Sequence, residues 1–385
     1  MAGPEVADSY VEAHPEQRAR PLDAAVPNFH AALDGYAPGA LRELPAIAAQ
    51  LGLGRVWVKD ESTRFGLPAY KALGAFYAAR RALAERFGDS AAAAAAGCEL
   101  VAPTDGNHGH AVARFAARLG LASHVFLPAG TTHARVRAIE TEAGATAEVV
   151  DGSYLDAVAR AVRFARRDSA RVLVTDFDGG ESGPTPAWVI DGYSTIFAEL
   201  EQQLSQAAAA PLDTVVVQVG AAALACAAGR WCAAVPERPA LLTVEPATAA
   251  CLLESLRAGR IVRVPDPHRS QMAGLNCDSP SGLAFAELRG AVPGSVAIAD
   301  EAAAWAMQAL AGMGIATGES GAAGLAGLAV AMLDPAAEDL RAACRLTADA
   351  EVLVLVTERV TDPAAARRSL ALPLPGWPAM NGARA

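Results

Sequence analysis

Residues 58–75 read V-K-D-E-S-T-R-F-G-L-P-A-Y-K-A-L-G-A. They contain Lys59 and Lys71, the two lysines of a 385-residue chain whose other 30 Lys/Arg residues are arginine. So strong a skew marks a drift of surface cations toward arginine, and the two exceptions ask for a reason. Arginine stays protonated at any accessible pH and cannot act as a neutral amine. Lysine can, and a neutral amine is what condenses with an aldehyde. Lys59 ends the apolar run Arg55-Val-Trp-Val58, which reads as a strand, and Asp60 and Glu61 follow it. It is expected to be a solvated, ion-paired lysine. Lys71 comes after a break at 66–68 and opens a helical run over 72–87. A helix N-terminus disfavours an ammonium, and partial burial lowers the amine's pKa further.

The rest of the chain sets bounds on this reading. A length of 385 residues exceeds what one core holds and predicts two domains. With 52% hydrophobic and 19% charged residues the chain is globular rather than disordered. A net charge of −10 argues against nucleic acid or an anionic membrane as partner. The opening residues lack the basic and apolar regions of a secretory signal, and the longest apolar runs, near 215–229 and 321–333, are shorter than a spanning helix. They read as buried helices with adjoining strand, and the protein is expected in the cytoplasm. The six cysteines show no C-x-x-C spacing, which argues for reduced thiols and against a metal knuckle.

Strand and helix signals alternate from Leu100 onward. Residues 99–102, 124–127, 147–150 and 171–175 read as strands, with helices over 108–119, 134–142 and 154–167. This rhythm predicts a small parallel sheet. A helix is expected over 187–202 after Pro184 and Pro186. Further strands follow at 214–219, 240–244, 296–299 and 351–356, with Asp300 as a helix N-cap. Residues 1–40 read as an arm and 365–385 as a tail, while the alanine run in 89–97 is either a helix extension or a mobile link.

Four segments lie where ligands gather in α/β folds. T-D-G-N-H-G (104–109) joins a strand to a helix, where Asn107 could cap the helix or meet a ligand oxygen. His108 and His110 lack further His or Cys nearby and read as solvated or capping residues rather than a metal pair. Asp176 ends a strand, a position shared by turn residues and by ligand-binding ones; Asp178 is close enough to be confused with it. Q-V-G-A-A-A-L (218–224) lies between a strand and a helix, where backbone N–H groups cradle phosphates. T-G-E-S-G (317–321) lacks the spacing of a nucleophile elbow, and Gly312-x-Gly314-x-x-x-Gly318 misses dinucleotide spacing by one residue.

The segment K-D-E-S-x-R-F-G-L-x-A-Y-K-x-L-G-A resembles the Schiff-base segment of the diaminopropionate ammonia-lyases, which are fold type II, tryptophan-synthase-β-like enzymes that use pyridoxal 5'-phosphate. The matching segments run from about Tyr36 to Asp362. The resemblance implies two α/β domains containing parallel sheets, a small one over 89–188 inserted in a larger one built from 1–88 and 189–385. It implies Lys71 as the cofactor lysine, Asn107 at the cofactor's phenolic oxygen, and Asp105 and Asp176 as bases for the D- and L-isomers of 2,3-diaminopropionate. The phosphate falls to Gly220, Ala221, Ala222, Ala223 and Leu224, where the family carries more glycine and where alanine can donate its N–H while φ is negative. Glu319 falls near the cofactor ring. V-T-E-R-V-T-D (356–362) is similar to the family's S-T-E-G-D-T-D, which places the Thr357 hydroxyl at the pyridine nitrogen. Arg359 there replaces a glycine and could reshape the pocket. The resemblance further implies release of pyruvate and ammonia, a homodimer, no metal, and a Cys251–Cys277 bridge near the site. Another β-eliminating or β-replacing enzyme of this fold, acting on serine, threonine or a specialised amino acid, is the nearest rival. A non-catalytic relative that binds a ligand or partner is the rival of another class.

Overall fold

The computed structural model describes residues 8–12, 23–180, 182–265, 270–374 and 377. Its strands are β1 (Asp8–Val11), β2 (Ala40–Glu43), β3 (Arg55–Asp60), β4 (Glu99–Pro103), β5 (Ala122–Leu127), β6 (Ala145–Val149), β7 (Arg171–Leu173), β8 (Thr214–Gln218), β9 (Ala240–Pro246), β10 (Gly294–Ile298) and β11 (Glu351–Val356). They form two sheets. One has four strands, all parallel, in the order β6-β5-β4-β7. The other has seven in the order β1-β10-β9-β8-β11-β3-β2, parallel at its centre and antiparallel at both edges. The fold is the α/β arrangement of parallel sheets that the alternating signals predict.

The central strands are buried on both faces. β8, T-V-V-V-Q, and β11, E-V-L-V-L-V, are buried along their whole length, and so read as continuous apolar runs rather than alternating ones. The helix Glu319–Leu333 lies across this sheet with Glu319 to Ala331 buried. No single described helix is long and apolar enough to cross a membrane. On the sheet's other side the helices Lys71–Phe87 and Thr185–Gly192 cross closely. A Cβ at Gly74 would come within 2.6 Å of the Tyr193 ring, and one at Gly192 within 2.7 Å of the Gly74 Cα. The glycine of K-A-L-G-A is therefore a packing requirement of that crossing.

Several local expectations change. The N-terminal arm contains β1, paired antiparallel with β10, and the helix Ala25–Ala31; residues 1–7 and 13–22 of it lie outside the described residues. The expected helix over 187–202 is two, Thr185–Gly192 and Ser194–Gln206. The alanine run is a separate short helix, Ser90–Ala95, whose N-cap Asp89 accepts from the Ala92 N–H at 2.8 Å. Asp300 does not cap its helix. It is the first helical residue, and its carboxylate accepts instead from Ser270 Oγ and the Gln271 N–H. The expected tail begins with a helix, Pro363–Leu370, and includes Trp377, buried edge-on against Trp305. Residues 375, 376 and 378–385 lie outside the described residues.

Lys59 also departs from expectation. It is fully buried, with Nζ donating to the Gly39 carbonyl at 2.6 Å, Glu199 at 2.8 Å and Gln203 at 2.9 Å. Arg64 joins the same cluster, paired with Glu61 and Glu199 at 2.6 Å each. Two cations and two carboxylates thus neutralise one another, as a buried charge requires. The K-D-E-S-T-R part of the opening motif binds strand to helix, and Lys71 takes no part in that cluster.

Candidate active site

A cavity opens where the C-terminal ends of the strands of both sheets face each other, the customary ligand position in parallel α/β sheets. Its enclosed space for water-sized molecules is about 40 Å³. Lys71 arrives from the start of the helix that follows β3, Asp105 from just past β4, Asp176 from beyond β7, Gln218 from the end of β8 and Thr357 from just past β11. Asn107 and residues 220–224 complete the walls expected from the sequence, joined by Tyr70, Tyr154, Cys277, Ser320 and Glu358. A second cavity of about 620 Å³ adjoins the first, sharing Asp105 and Tyr154 with it and lined by Arg135 and Arg263.

Lys71 is the first residue of its helix, and the approach to it is tied down. The turn at 64–67 uses positive φ at Phe65 and Gly66. The segment then pairs with the end of β11: Ala69 bridges Glu358, the Tyr70 N–H donates to the Thr357 carbonyl at 3.2 Å, and the Arg359 N–H donates to the Pro68 carbonyl at 3.0 Å. Backbone bonds therefore fix the base of Lys71 against Thr357 and Glu358.

Lys71 Nζ donates to Asp176 Oδ2 at 2.6 Å, and Tyr154 donates its hydroxyl to Asp176 Oδ1 at 3.1 Å. Burial works against the ammonium, but the Asp176 carboxylate, with Tyr70, Tyr193 and Asp105 behind it, holds the amine's pKa well above the usual value. The expected lowering of the Lys71 pKa is thus not found, because Asp176 and the neighbouring groups together oppose the helix end and the desolvation. Burial likewise pushes Asp176 up, while Lys71 and His108 together bring it below the usual carboxylate range. Asp105, by contrast, is raised by burial, and its carbonyl accepts from Arg135 at 3.1 Å. The two carboxylates are tuned apart. Asp178 is turned away from the cavity, accepting the Gly180 N–H at 2.9 Å.

Asn107 does not cap its helix. Gly106, at φ 149°, holds that position, and Asn107 Nδ2 reaches across between the sheets to donate to Glu358 Oε2 at 2.5 Å. His108 Nε2 bonds the Val174 carbonyl and His110 Nε2 bonds Glu142; among the described residues no cluster suited to a metal is found. In the loop 220–224 the expectation of negative φ fails at Ala222, which takes φ 74° as N-cap of the helix Ala223–Ala234. The loop keeps a glycine-like turn without the glycine, and the first-turn N–H groups behind it have no intrahelical acceptor. A Cβ at Gly220 would meet the Gly274 carbonyl at 3.0 Å and Cys277 Sγ at 3.3 Å, tight contacts that a side chain could make only if those neighbours gave way.

Three further expectations are corrected. Glu319 does not line the cavity; its carboxylate accepts from Ser369 Oγ at 2.8 Å, and the next residue, Ser320, faces the cavity in its place. Arg359 is exposed and is not among the cavity's lining residues. Cys251 and Cys277 are free thiols, both beside Gly220. Tyr154, Gln218 and Glu358 acquire their places only in three dimensions. The sequence signals available were a carboxylate within V-T-E-R and a polar residue ending an apolar strand.

The residues fit pyridoxal phosphate. An amine, two carboxylates, a hydroxyl and a small-residue loop leading into a helix N-terminus converge on one cavity, which is the donor set for an aldehyde, a pyridine and a phosphate. Comparison with known proteins agrees. Residues 32–358 match the family described as pyridoxal-phosphate dependent enzyme. The diaminopropionate ammonia-lyase of Escherichia coli strain K12 is 34% identical over 351 residues, covering 87% of each chain. That of Salmonella typhimurium strain LT2 is 34% identical over 360 residues, covering 87% of this chain and 88% of the relative. The crystal structure of the Escherichia coli enzyme in complex with an aminoacrylate-PLP azomethine reaction intermediate superposes with a TM-score of 0.86 at 30% identity, covering 96% of this chain and 98% of that one.

Proposed function

The chain belongs to the pyridoxal-phosphate dependent enzymes and, within them, to the diaminopropionate ammonia-lyases, and from that membership we propose how its residues eliminate ammonia from 2,3-diaminopropionate to give pyruvate. Bound pyridoxal phosphate supplies an aldehyde that takes an amine and a conjugated ring that withdraws electrons from the α-carbon. Lys71 is the amine that holds it, residues 220–224 receive its phosphate on backbone N–H groups, and Asn107 and Thr357 meet the ring. The observation that carries the reading is Lys71 Nζ 2.6 Å from Asp176, with Asp105 on the same cavity.

The carboxylates take the proton. Asp176 is a weak base while it neutralises the Lys71 ammonium. Once Lys71 gives up that charge, Asp176 is left buried without its cation and becomes more basic. Asp105, already raised by burial, is a stronger base whenever it is ionised. In this reading Asp176 removes the α-proton of the L-isomer and Asp105 that of the D-isomer. The Lys71 amine then serves to release product. The reading carries a homodimer from the family resemblance, and a cytoplasmic location that the free thiols suit.

The test measures the visible spectrum of the loaded protein before and after diaminopropionate, together with pyruvate release from each isomer, from serine and from threonine. Lys71→Ala is expected to lose the spectrum, Asp176→Asn to lose the L-isomer and Asp105→Asn the D-isomer. An unchanged spectrum in Lys71→Ala refutes the lysine assignment, and equal loss of both isomers in both Asn variants refutes the division of labour.

A further inference from the structure

Gln218 ends β8 with its side chain buried against the cavity. The amide nitrogen donates to Thr357 Oγ1 at 2.8 Å and lies 3.1 Å from the carbonyl oxygens of Ser320 and Gly321 and 3.2 Å from that of Leu355. Turning the amide over would set its oxygen against those three carbonyls, so the surroundings decide which end is which. That orientation leaves Gln218 Oε1 buried with no hydrogen-bond partner, beside Gly324. A methionine would fill the same space without an unsatisfied acceptor. The amide is therefore poorly explained by packing alone, and what it achieves is at its nitrogen.

The Thr357 hydroxyl has one proton to give and lone pairs to receive with. Gln218 donates to the oxygen, and no acceptor for the hydroxyl's own proton is found among the described residues. Thr357 lines the cavity. We infer that Gln218 is a positioning residue that holds the Thr357 hydroxyl as a donor into the cavity, so that the ring nitrogen it meets is kept unprotonated. The inference rests on the reading that the cavity binds pyridoxal phosphate with Thr357 at that nitrogen. A pyridinium has no lone pair to accept with, whereas a neutral pyridine has one. A neutral ring withdraws less strongly, which suits an elimination. The electron pair freed when the α C–H bond breaks becomes the second Cα–Cβ bond as the Cβ–N bond breaks, and the pair of that broken bond leaves on nitrogen as ammonia, so little charge need be stored on the ring.

The test loads the protein with pyridoxal phosphate carrying ¹⁵N at the ring nitrogen and follows that resonance against pH. In the parent protein the nitrogen is expected to be unprotonated throughout the neutral range. Gln218→Met is expected to move the resonance toward the protonated position and to raise the pH at which it titrates by about one unit. The same change made over Thr357→Ala is expected to add nothing, because Gln218 acts through that hydroxyl. A purely structural role for Gln218 would displace the resonance equally in both backgrounds, and that result overturns the proposal. So does a protonated nitrogen in the parent, a measurement that needs no variant to fold. Loaded protein that releases pyruvate yet has a protonated nitrogen defeats this inference alone. Protein that does not take up the cofactor defeats the functional reading with it.

Discussion

Asp176 is held by residues of two different origins: Lys71 Nζ at 2.6 Å from the seven-stranded side and Tyr154 Oη at 3.1 Å from the four-stranded side. The pair Lys71–Asp176 thus links the sheets as well as the chemistry. With side-chain exposures of 17% and 5% it is largely desolvated, so removing one partner leaves a buried charge. Asp176→Asn is expected to destabilise the cofactor-free protein by about 3 kcal/mol, read from denaturant unfolding. Asp176, held low, contributes stability that is present above its unfolded pKa and lost as pH falls. Lys71, held high, contributes stability that is present below its unfolded pKa and lost as pH rises. The pair's contribution should therefore be flat from about pH 5 to 10 and fall on either side. No difference between parent and variant at neutral pH would dissociate the pair from stability.

Glu245, at the head of the helix Cys251–Ala258, has the opposite sign. Burial pushes its carboxyl up to about 8, against the Leu252 and Leu253 N–H donors that favour the ionised form. A carboxyl raised on folding binds a proton that the unfolded chain has already released, so its contribution weakens as pH rises from the ordinary glutamate value toward 8. Glu245→Gln, which cannot ionise, should remove that downward slope. Thermal unfolding of both proteins across this range measures it, and parallel curves would count against the assignment.

Ala222 holds a left-handed backbone at φ 74° in the loop expected to receive phosphate. For an L-residue with a Cβ that conformation costs roughly 1–2 kcal/mol, part of which glycine would give back in unfolded-chain entropy. Ala222→Gly should stabilise the protein by about 1 kcal/mol with the cofactor still bound. A loss of stability would show that the Cβ makes a contact worth more than the strain.

The Lys59–Glu61–Arg64–Glu199 cluster gives a prediction about folding rather than chemistry. Glu199 accepts from both Lys59 and Arg64, so Glu199→Ala leaves two buried cations with Glu61 as their one shared carboxylate. A loss of about 3–5 kcal/mol is expected, with turnover per folded, loaded molecule unchanged. A selective loss of turnover at full stability would place the cluster in the reaction instead.

How much of this was legible beforehand depends on where each residue's meaning lies. Lys71 stands out because lysine is so rare here, and Thr357, Asp105 and Asp176 because each follows a strand whose apolar run is easy to read. Lys59 misleads: its partners Gly39 and Glu199 are 20 and 140 residues away, so nothing local distinguishes it from a solvated cation. Glu319 misleads for a smaller reason. Neighbours on a helix point about 100° apart, and only packing against Ser369 decides that Ser320 takes the cavity side. Gln218 is invisible for the same reason as Lys59, since its four acceptors come from residues more than 100 positions away. The upward shift of the Lys71 pKa is likewise illegible, because helix position is written in the sequence and a counter-ion 105 residues distant is not.

Pairing of β3 with β11, residue 55 against 351 through residue 60 against 356, bears on how the protein is made. β11 lies between β3 and β8, so the larger sheet has a gap at its middle until the ribosome has released residue 356. The four-stranded sheet, complete by residue 173, has no such wait. During synthesis, therefore, the apolar flanks of β3 and β8 stand unpaired beside an already finished neighbour, a state open to aggregation. Cellular yield of this protein should be governed by how those two strands are shielded until the last one arrives.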